Sequence, residues 1–357
     1  MEALDVMRKS SERQSIQKLL FLTLLFLPAQ LSAAFAQQGT VVKIDTELVN
    51  LNVVVTDKHG QRVRGLRKDD FEVYEDGVKQ EITHFAAEER PLKLALLFDI
   101  SISMEETLPT VKQAAIKFVE GLSADDRLSV ISFASKVSLH TDWAEREKAI
   151  EAIRDLAPEP HPDPVRPAPG RNGYNIGDNN TYLYEALQYV FNMLRDNRDR
   201  VAVIMFSDGV DTGAGRDIRK IRKRAEEIGQ ETKNQAAESW AVVYPIRFKT
   251  KQVIGYFPEP APRVIPSIIK IGRPPKNPGD ELFSAITTAS GGSIFDFTNR
   301  EELAKAVHEV TADLRSQYGI AYAPPETNHR KGFHRIKVRV NKPGLIARTR
   351  DGYLATK

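Results

Sequence analysis

Two strand-length apolar runs constrain this chain most: Leu92 to Phe98, broken only by Lys93, and Val201 to Phe206, with no polar residue at all. A strand that is apolar at successive positions is buried on both faces, so the sheet it belongs to must be covered on both sides. Helical patterns separate these runs. Val111, Ala115, Phe118, Val119 and Leu122 recur on one helix face, with Gly121 near its end. Further helices are expected over Trp143 to Leu156, Tyr182 to Leu194, Asp217 to Asn234, Glu281 to Ala289 and Glu301 to Ser316. Strands are expected over Leu128 to Phe133, Trp240 to Ile246 and Ser293 to Phe295. Strands alternating with helices in this way predict the α/β class, with a doubly wound, mostly parallel, Rossmann-like sheet.

Both ends of the chain read differently. Val49, Leu51, Val53 and Val55 alternate with other residues up to the turn sequence Asp57-Lys58-His59-Gly60, and short strands follow at Phe71 to Tyr74 and Gln80 to Phe85. Tyr318 to Tyr322, His334 to Val340 and Leu345 to Arg350 are similar short β runs, broken by Pro324-Pro325, Pro343-Gly344 and Asp351-Gly352. These segments are expected to pair into a small β-sandwich-like unit flanking the α/β part, with two separate small sheets as the alternative. The proline-rich stretches Pro158 to Pro169 and Pro258 to Pro278 read as surface loops.

The extreme amino terminus reads as an address. Arg8, Lys9, Arg13 and Lys18 precede an apolar run from Leu19 to Leu27, and small residues lead to Ala34-Phe35-Ala36. That is the layout of a secretory signal peptide cleaved after Ala36, with an uncleaved anchor as the competing reading. Pro28 and Gln30 cut the run short of the roughly 20 apolar residues a membrane span needs, and no later segment reaches that length. A secreted, periplasmic or cell-envelope location follows. With no cysteine in the chain, disulfide scaffolds, thiolate metal sites and cysteine nucleophiles are excluded. A net charge of +3 from 51 basic and 48 acidic residues argues against nucleic acid as the main partner.

The chemistry concentrates where the two apolar strands end. In a doubly wound sheet, ligands bind beyond the carboxyl ends of the strands. One run ends in Phe98-Asp99-Ile100-Ser101-Ile102-Ser103, the other in Phe206-Ser207-Asp208-Gly209. The spacing lets Asp99, Ser101 and Ser103 face one side while the isoleucines face away. An oxygen-only donor set of mixed charge is what a hard divalent cation prefers. Taken singly, Asp99, Ser101 and Ser103 read equally well as helix caps, and Thr181 as an N-cap.

Together these residues resemble the metal-ion-dependent adhesion site of von Willebrand factor A (VWA) domains. That site has Asp-x-Ser-x-Ser after the first sheet strand, an Asp after a later one, and a threonine from a loop between them, matched here by Thr181 in Gly177-Asp178-Asn179-Asn180-Thr181. The resemblance implies Mg²⁺, with Mn²⁺ or Ca²⁺ as alternatives, held by Asp99, Ser101, Ser103, Thr181 and Asp208. It leaves one coordination position for an Asp or Glu carboxylate of a protein partner. With the resemblance placing a VWA domain over 91–317, the expected organisation is signal peptide 1–36, β segment 41–90, that domain and β segment 318–357, pairing of the last with 41–90 being one of the two alternatives above. The flanking β segments also resemble those around VWA domains in some exported bacterial proteins.

Adhesion or protein binding is the first functional expectation, an envelope assembly module with metal-independent contacts the second, and a metal-dependent hydrolase the third. Catalysis would need a positioned base or nucleophile. The seven histidines are scattered, and no GxxxxGK[ST] or GxSxG occurs. Asp178, Asp211 and Glu105 are expected to be solvated loop charges. The basic run from Arg216 to Arg224 is expected to be a solvated helix face, and Thr212 has no expected role.

Overall fold

The doubly apolar runs form the two middle strands of a six-stranded sheet in the computed structural model, which describes residues 48–87, 91–160, 180–195, 200–213, 218–249, 278–324 and 331–355. In chain order the strands are β1 (Val49–Thr56), β2 (Phe71–Glu75), β3 (Val78–Gln80), β4 (Ile82–Ala86), β5 (Lys93–Asp99), β6 (Arg127–Phe133) and β7 (Val137–Ala144). They continue with β8 (Val201–Ser207), β9 (Val242–Phe248), β10 (Phe295–Phe297), β11 (Tyr318–Tyr322), β12 (Gly332–Val340), β13 (Ile346–Arg348) and β14 (Gly352–Ala355). The helices are α1 (Leu108–Glu120), α2 (Arg146–Asp155), α3 (Leu183–Leu194), α4 (Ile218–Glu238), α5 (Pro278–Ser290) and α6 (Arg300–Arg315). The signal-peptide reading, Asp178 and the loop at Pro258 lie outside the described residues, as does most of the loop that begins at Pro158.

The central sheet runs β10-β9-β8-β5-β6-β7, parallel throughout except for β7, which pairs antiparallel with β6. Alternation along β5 and β8 divides two cores, as a doubly wound sheet requires. Leu94, Leu96, Phe98, Ala202, Ile204 and Phe206 face α1, α2 and α6, where Val111, Phe118, Ile153, Leu303 and Val310 meet them. Ala95, Leu97, Val203 and Met205 face the other way, onto Leu187, Val190 and Phe191 of α3 and Phe283 and Ile286 of α5. Helix α1 is typical of these covering helices. Pro109 sits in its first turn, where a missing N–H costs nothing, and its buried face is Val111, Ala115, Phe118 and Val119.

Strand β7 overturns one expectation. The helix predicted from Trp143 starts only at Arg146, because Trp143 and Ala144 belong to an antiparallel edge strand. Its sequence, VSLHTDWA, alternates Val137, Leu139, Thr141 and Trp143 with polar residues, and Val137 and Trp143 pack against the core while Leu139 stays exposed. Ladder bonds to β6 hold this half-exposed edge strand in place.

The two ends of the chain pair directly, and this settles the alternatives for the β segments. β1 lies between β11 and β13, and β2 between β12 and β3. Both four-stranded sheets face one core of Val49, Leu51, Val53, Val55, Phe71, Val73, Tyr318, Ile320, Tyr322, Ile336 and Val338. The arrangement is sandwich-like. α6 runs almost directly into β11, and Asp313 near its end is buried against Arg62 and Arg348 of this β unit. Among the described residues, no helix is long and apolar enough to cross a membrane.

Candidate metal centre

β5 ends at Asp99, and the chain turns through one short 3₁₀ segment, Ile102–Met104, before α1. This turn folds the two serines back onto the aspartate. The Ser101 amide and hydroxyl both donate to Asp99 Oδ1, at 3.0 and 2.5 Å, and Ser101 Oγ lies 3.1 Å from Ser103 Oγ. Ile100 packs into the core on the other side, as the alternation requires. β8 lies beside β5, and there Ser207 Oγ donates to Asp99 Oδ2 at 2.6 Å. Asp208 follows, its Oδ1 accepting from the Val210 amide at 3.0 Å and its carboxylate from the Ser103 hydroxyl. Gly209 adopts a left-handed φ of +78°, and an added Cβ there would come within 3.0 Å of the Phe283 ring. Only glycine turns the chain at that point without strain.

Thr181 arrives by a longer route. The Tyr182 amide donates to the Ala134 carbonyl just beyond β6 at 3.0 Å. The Thr181 amide donates to Thr212 Oγ1 at 2.7 Å, and the Thr212 amide returns a bond to the Thr181 carbonyl at 3.0 Å. The segment thus crosses the carboxyl edge of the sheet from β6 to the loop after β8. β5, with Asp99 at its end, lies between those two strands.

Asp99, Ser101, Thr181, Ser207 and Asp208 are buried, and Ser103 is exposed, so the cluster opens to solvent at Ser103. Among the described residues, no Lys, Arg or His forms an ion pair with Asp99 or Asp208. Burial and the neighbouring Asp208 charge push the Asp99 carboxyl up to about 7, against partial relief from the two serine hydroxyls. Burial likewise raises Asp208. Two adjoining carboxylates with hydroxyl partners, and no basic partner among the described residues, make a site rich in negative charge.

Three expectations are corrected here. Asp211 is not a solvated loop charge: it is buried and accepts from the Tyr184 amide, the Gly213 amide and Arg224 Nε. Its carboxyl is raised by burial, with Arg224 opposing that shift. Arg224 likewise leaves the solvated face of α4 and turns inward, while Lys220 and Lys223 stay exposed. Thr212, given no role from sequence, is hydrogen-bonded twice to Thr181. Ser207, which the sequence marks only as the hydroxyl directly before the second aspartate, bridges the two strand ends. Glu105 is exposed, as expected.

Two other features lie elsewhere. Glu75, Asp76 and His334 bring three ligating atoms within 4.8 Å of one another in the β unit, with His334 Nδ1 2.9 Å from Asp76. A cavity of about 650 Å³, lined partly by Lys93, Arg127 and Arg200, sits at the amino ends of the strands, the opposite pole from Asp99.

No curated protein matches this sequence. Among solved structures, the chain is similar to a von Willebrand factor type A protein from Catenulispora acidiphila, at 10% identity, 87% coverage of this chain and 75% of that one, and a TM-score of 0.42. It is also similar to the PilB minor pilin of Streptococcus sanguinis, at 12% identity, 65% and 63% coverage, and a TM-score of 0.44. A third likeness is to proximal thread matrix protein 1 of the mussel byssus, with a zinc-occupied MIDAS motif, at 15% identity, 68% and 50% coverage, and a TM-score of 0.42. The chain thus spans about half the length of the mussel protein. None of these likenesses carries a function to this chain. Residues 94–210 match the family model of the von Willebrand factor type A domain, a stretch that begins in β5 and ends just past Asp208. Together with the parallel sheet and the Asp–Ser–Ser cluster at its carboxyl edge, this match shows that the chain carries a von Willebrand factor type A domain.

Proposed function

We propose that Asp99, Ser101, Ser103, Thr181 and Asp208 hold a divalent cation, Mg²⁺ in preference to Mn²⁺ or Ca²⁺, and that the loaded site captures an Asp or Glu carboxylate of a protein partner. The observation that carries this reading is the pair of buried carboxylates, Asp99 and Asp208, flanked by hydroxyls and without a basic ion-pair partner among the described residues. The donor set is all oxygen, which suits a hard cation and not a thiolate- or imidazole-seeking one. A bound cation supplies positive charge that offsets the carboxylates and attracts a further anion. The chain's own part is to hold the donors converged: Ser207 pins Asp99, Ser101 and Ser103 lean on each other, and the Val210 amide holds Asp208. Exposed Ser103 marks the side from which a partner would approach.

On this reading the protein is an exported binding module, not an enzyme. The leader-like segment before Ala36 supports export, and residues 91–317 form the binding domain, with 41–90 and 318–357 as its β base. The groups bonded to the two carboxylates among the described residues are hydroxyls and backbone amides, none a general base. Isothermal titration of the mature chain with Mg²⁺ and Mn²⁺, against Asp208→Asn, tests the site. Saturable binding in the wild type that is lost in the variant is expected, and no binding at millimolar metal refutes the proposal. Cross-linked capture from the native envelope with and without chelator then tests the partner. Capture that ignores chelator would move the contacts to the β unit.

A further inference from the structure

We infer that Thr212 and Asp211 are positioning residues for the metal centre, forming a strap that sets Thr181 in place. This rests on the metal-site reading above and adds to it two residues of the loop after β8. The first observation is the pair of hydrogen bonds between Thr181 and Thr212: the Thr181 amide donates to Thr212 Oγ1 at 2.7 Å, and the Thr212 amide donates to the Thr181 carbonyl at 3.0 Å. Two bonds between the same two residues fix both the distance and the orientation of Thr181.

The second observation concerns the start of α3. A helix leaves its first amides without partners, and an N-cap side chain normally satisfies one of them. The residue at that position is Tyr182, which makes no side-chain capping bond. Asp211 does the work from the neighbouring loop, accepting from the Tyr184 amide in the first turn of α3 at 3.2 Å. Its carboxylate is held in turn by Arg224 Nε at 2.9 Å. The Arg224 guanidinium also pairs with Glu185 on α3 and lies 5.7 and 5.8 Å from the centres of the Tyr182 and Tyr184 rings. Gly213 leaves room for it, since a Cβ there would fall 2.7 Å from the guanidinium.

The consequence is geometric. Asp208, one proposed ligand, opens the loop after β8, and Asp211 and Thr212 close on Thr181, another proposed ligand, from the same loop. The two ligands are therefore braced against each other through a few residues of backbone, although they stand far apart in sequence. Partners that orient metal ligands from outside typically affect affinity by about 10- to 100-fold. Thr212 is half-buried and does not belong to the proposed ligand set, so its hydroxyl can be removed without touching a donor.

The test uses Thr212→Val, which keeps the shape and loses the acceptor, and Thr212→Ser, which keeps the acceptor. Mn²⁺ affinity is measured by electron paramagnetic resonance, urea midpoint by circular dichroism, and exchange of the Thr181 amide by NMR in metal-free protein. In T212V the Mn²⁺ Kd should rise about 10-fold or more, and the Thr181 amide should lose protection without metal present. T212S should restore both. Unchanged Kd in T212V overturns the inference, as does a loss of affinity that T212S shares, since that would reflect packing and not the hydroxyl. If T212V does not fold, Thr212→Ala removes the same acceptor without the added methyl and is judged by the same outcomes. Wild-type protein that binds no Mn²⁺ overturns the metal reading and the strap's role with it, whereas binding that T212V leaves intact overturns the strap alone.

Discussion

Without metal, this protein should become less stable as the solution approaches neutral pH, and Asp99 should be the main cause. Its carboxyl is pushed up to about 7 in the folded chain, while an unfolded aspartate titrates near 3.8. Between those values the folded state keeps a proton that the unfolded state has released. Stability falls with pH wherever the folded state binds more protons. The contribution is therefore fully present below about pH 4, declines through the interval, and is gone above about pH 7. A shift of roughly three units at 1.36 kcal/mol each amounts to about 4 kcal/mol, shared with Asp208 because the two carboxyls titrate as a pair. Asp99→Asn has no proton to hold at that position, so the difference between wild type and variant reports Asp99 and its coupling to Asp208 while the distant titrating groups cancel. Urea unfolding of both proteins in chelator, from pH 4 to pH 8, should show the wild type losing about 4 kcal/mol relative to D99N. Saturating Mg²⁺ should return stability to the wild type above pH 7 and not to D99N, because a ligand that binds only the folded state stabilises it by mass action. A wild-type-minus-variant difference that is flat or rises with pH would refute the reasoning.

Three further outcomes can be checked by standard unfolding measurements. Asp313 is buried and accepts from Arg62 Nε at 2.8 Å and from Arg348, so Asp313→Ala should leave Arg348 without its carboxylate and Arg62 with Glu309 alone, and cost about 1–3 kcal/mol in urea unfolding. Phe98 is fully buried with its ring 5.1 Å from that of Phe206, and Phe98→Ala should cost about 3–5 kcal/mol by the same measure. At Gly292 an added Cβ would fall 1.8 Å from the Val243 carbonyl oxygen, so Gly292→Ala should force a backbone shift and lower stability by roughly 1–3 kcal/mol, read as a reduced melting temperature.

Much of this protein was legible before any coordinates. The apolar runs of β5 and β8 determined a two-sided sheet because a strand without a polar face has nowhere else to be stable. The alternation of Val49, Leu51, Val53 and Val55 put those four side chains in one core, although Val54 on the opposite face is buried as well. Asp99, Ser101 and Ser103 could be read as one cluster because they alternate within one short stretch and local turn geometry alone brings them together. β7 is only faintly written in the sequence: Val137, Leu139, Thr141 and Trp143 alternate with polar residues, but Leu139 is exposed and the ladder to β6 supplies much of the stability. The tertiary structure also decided the surroundings of the site. Ser207 meets Asp99 across 108 residues, Asp211 caps a helix that begins 28 residues before it, and Arg224 abandons a solvated face for both. Such contacts depend on which strand lies beside which. That order is a property of the whole packed sheet, and no short stretch of sequence encodes it.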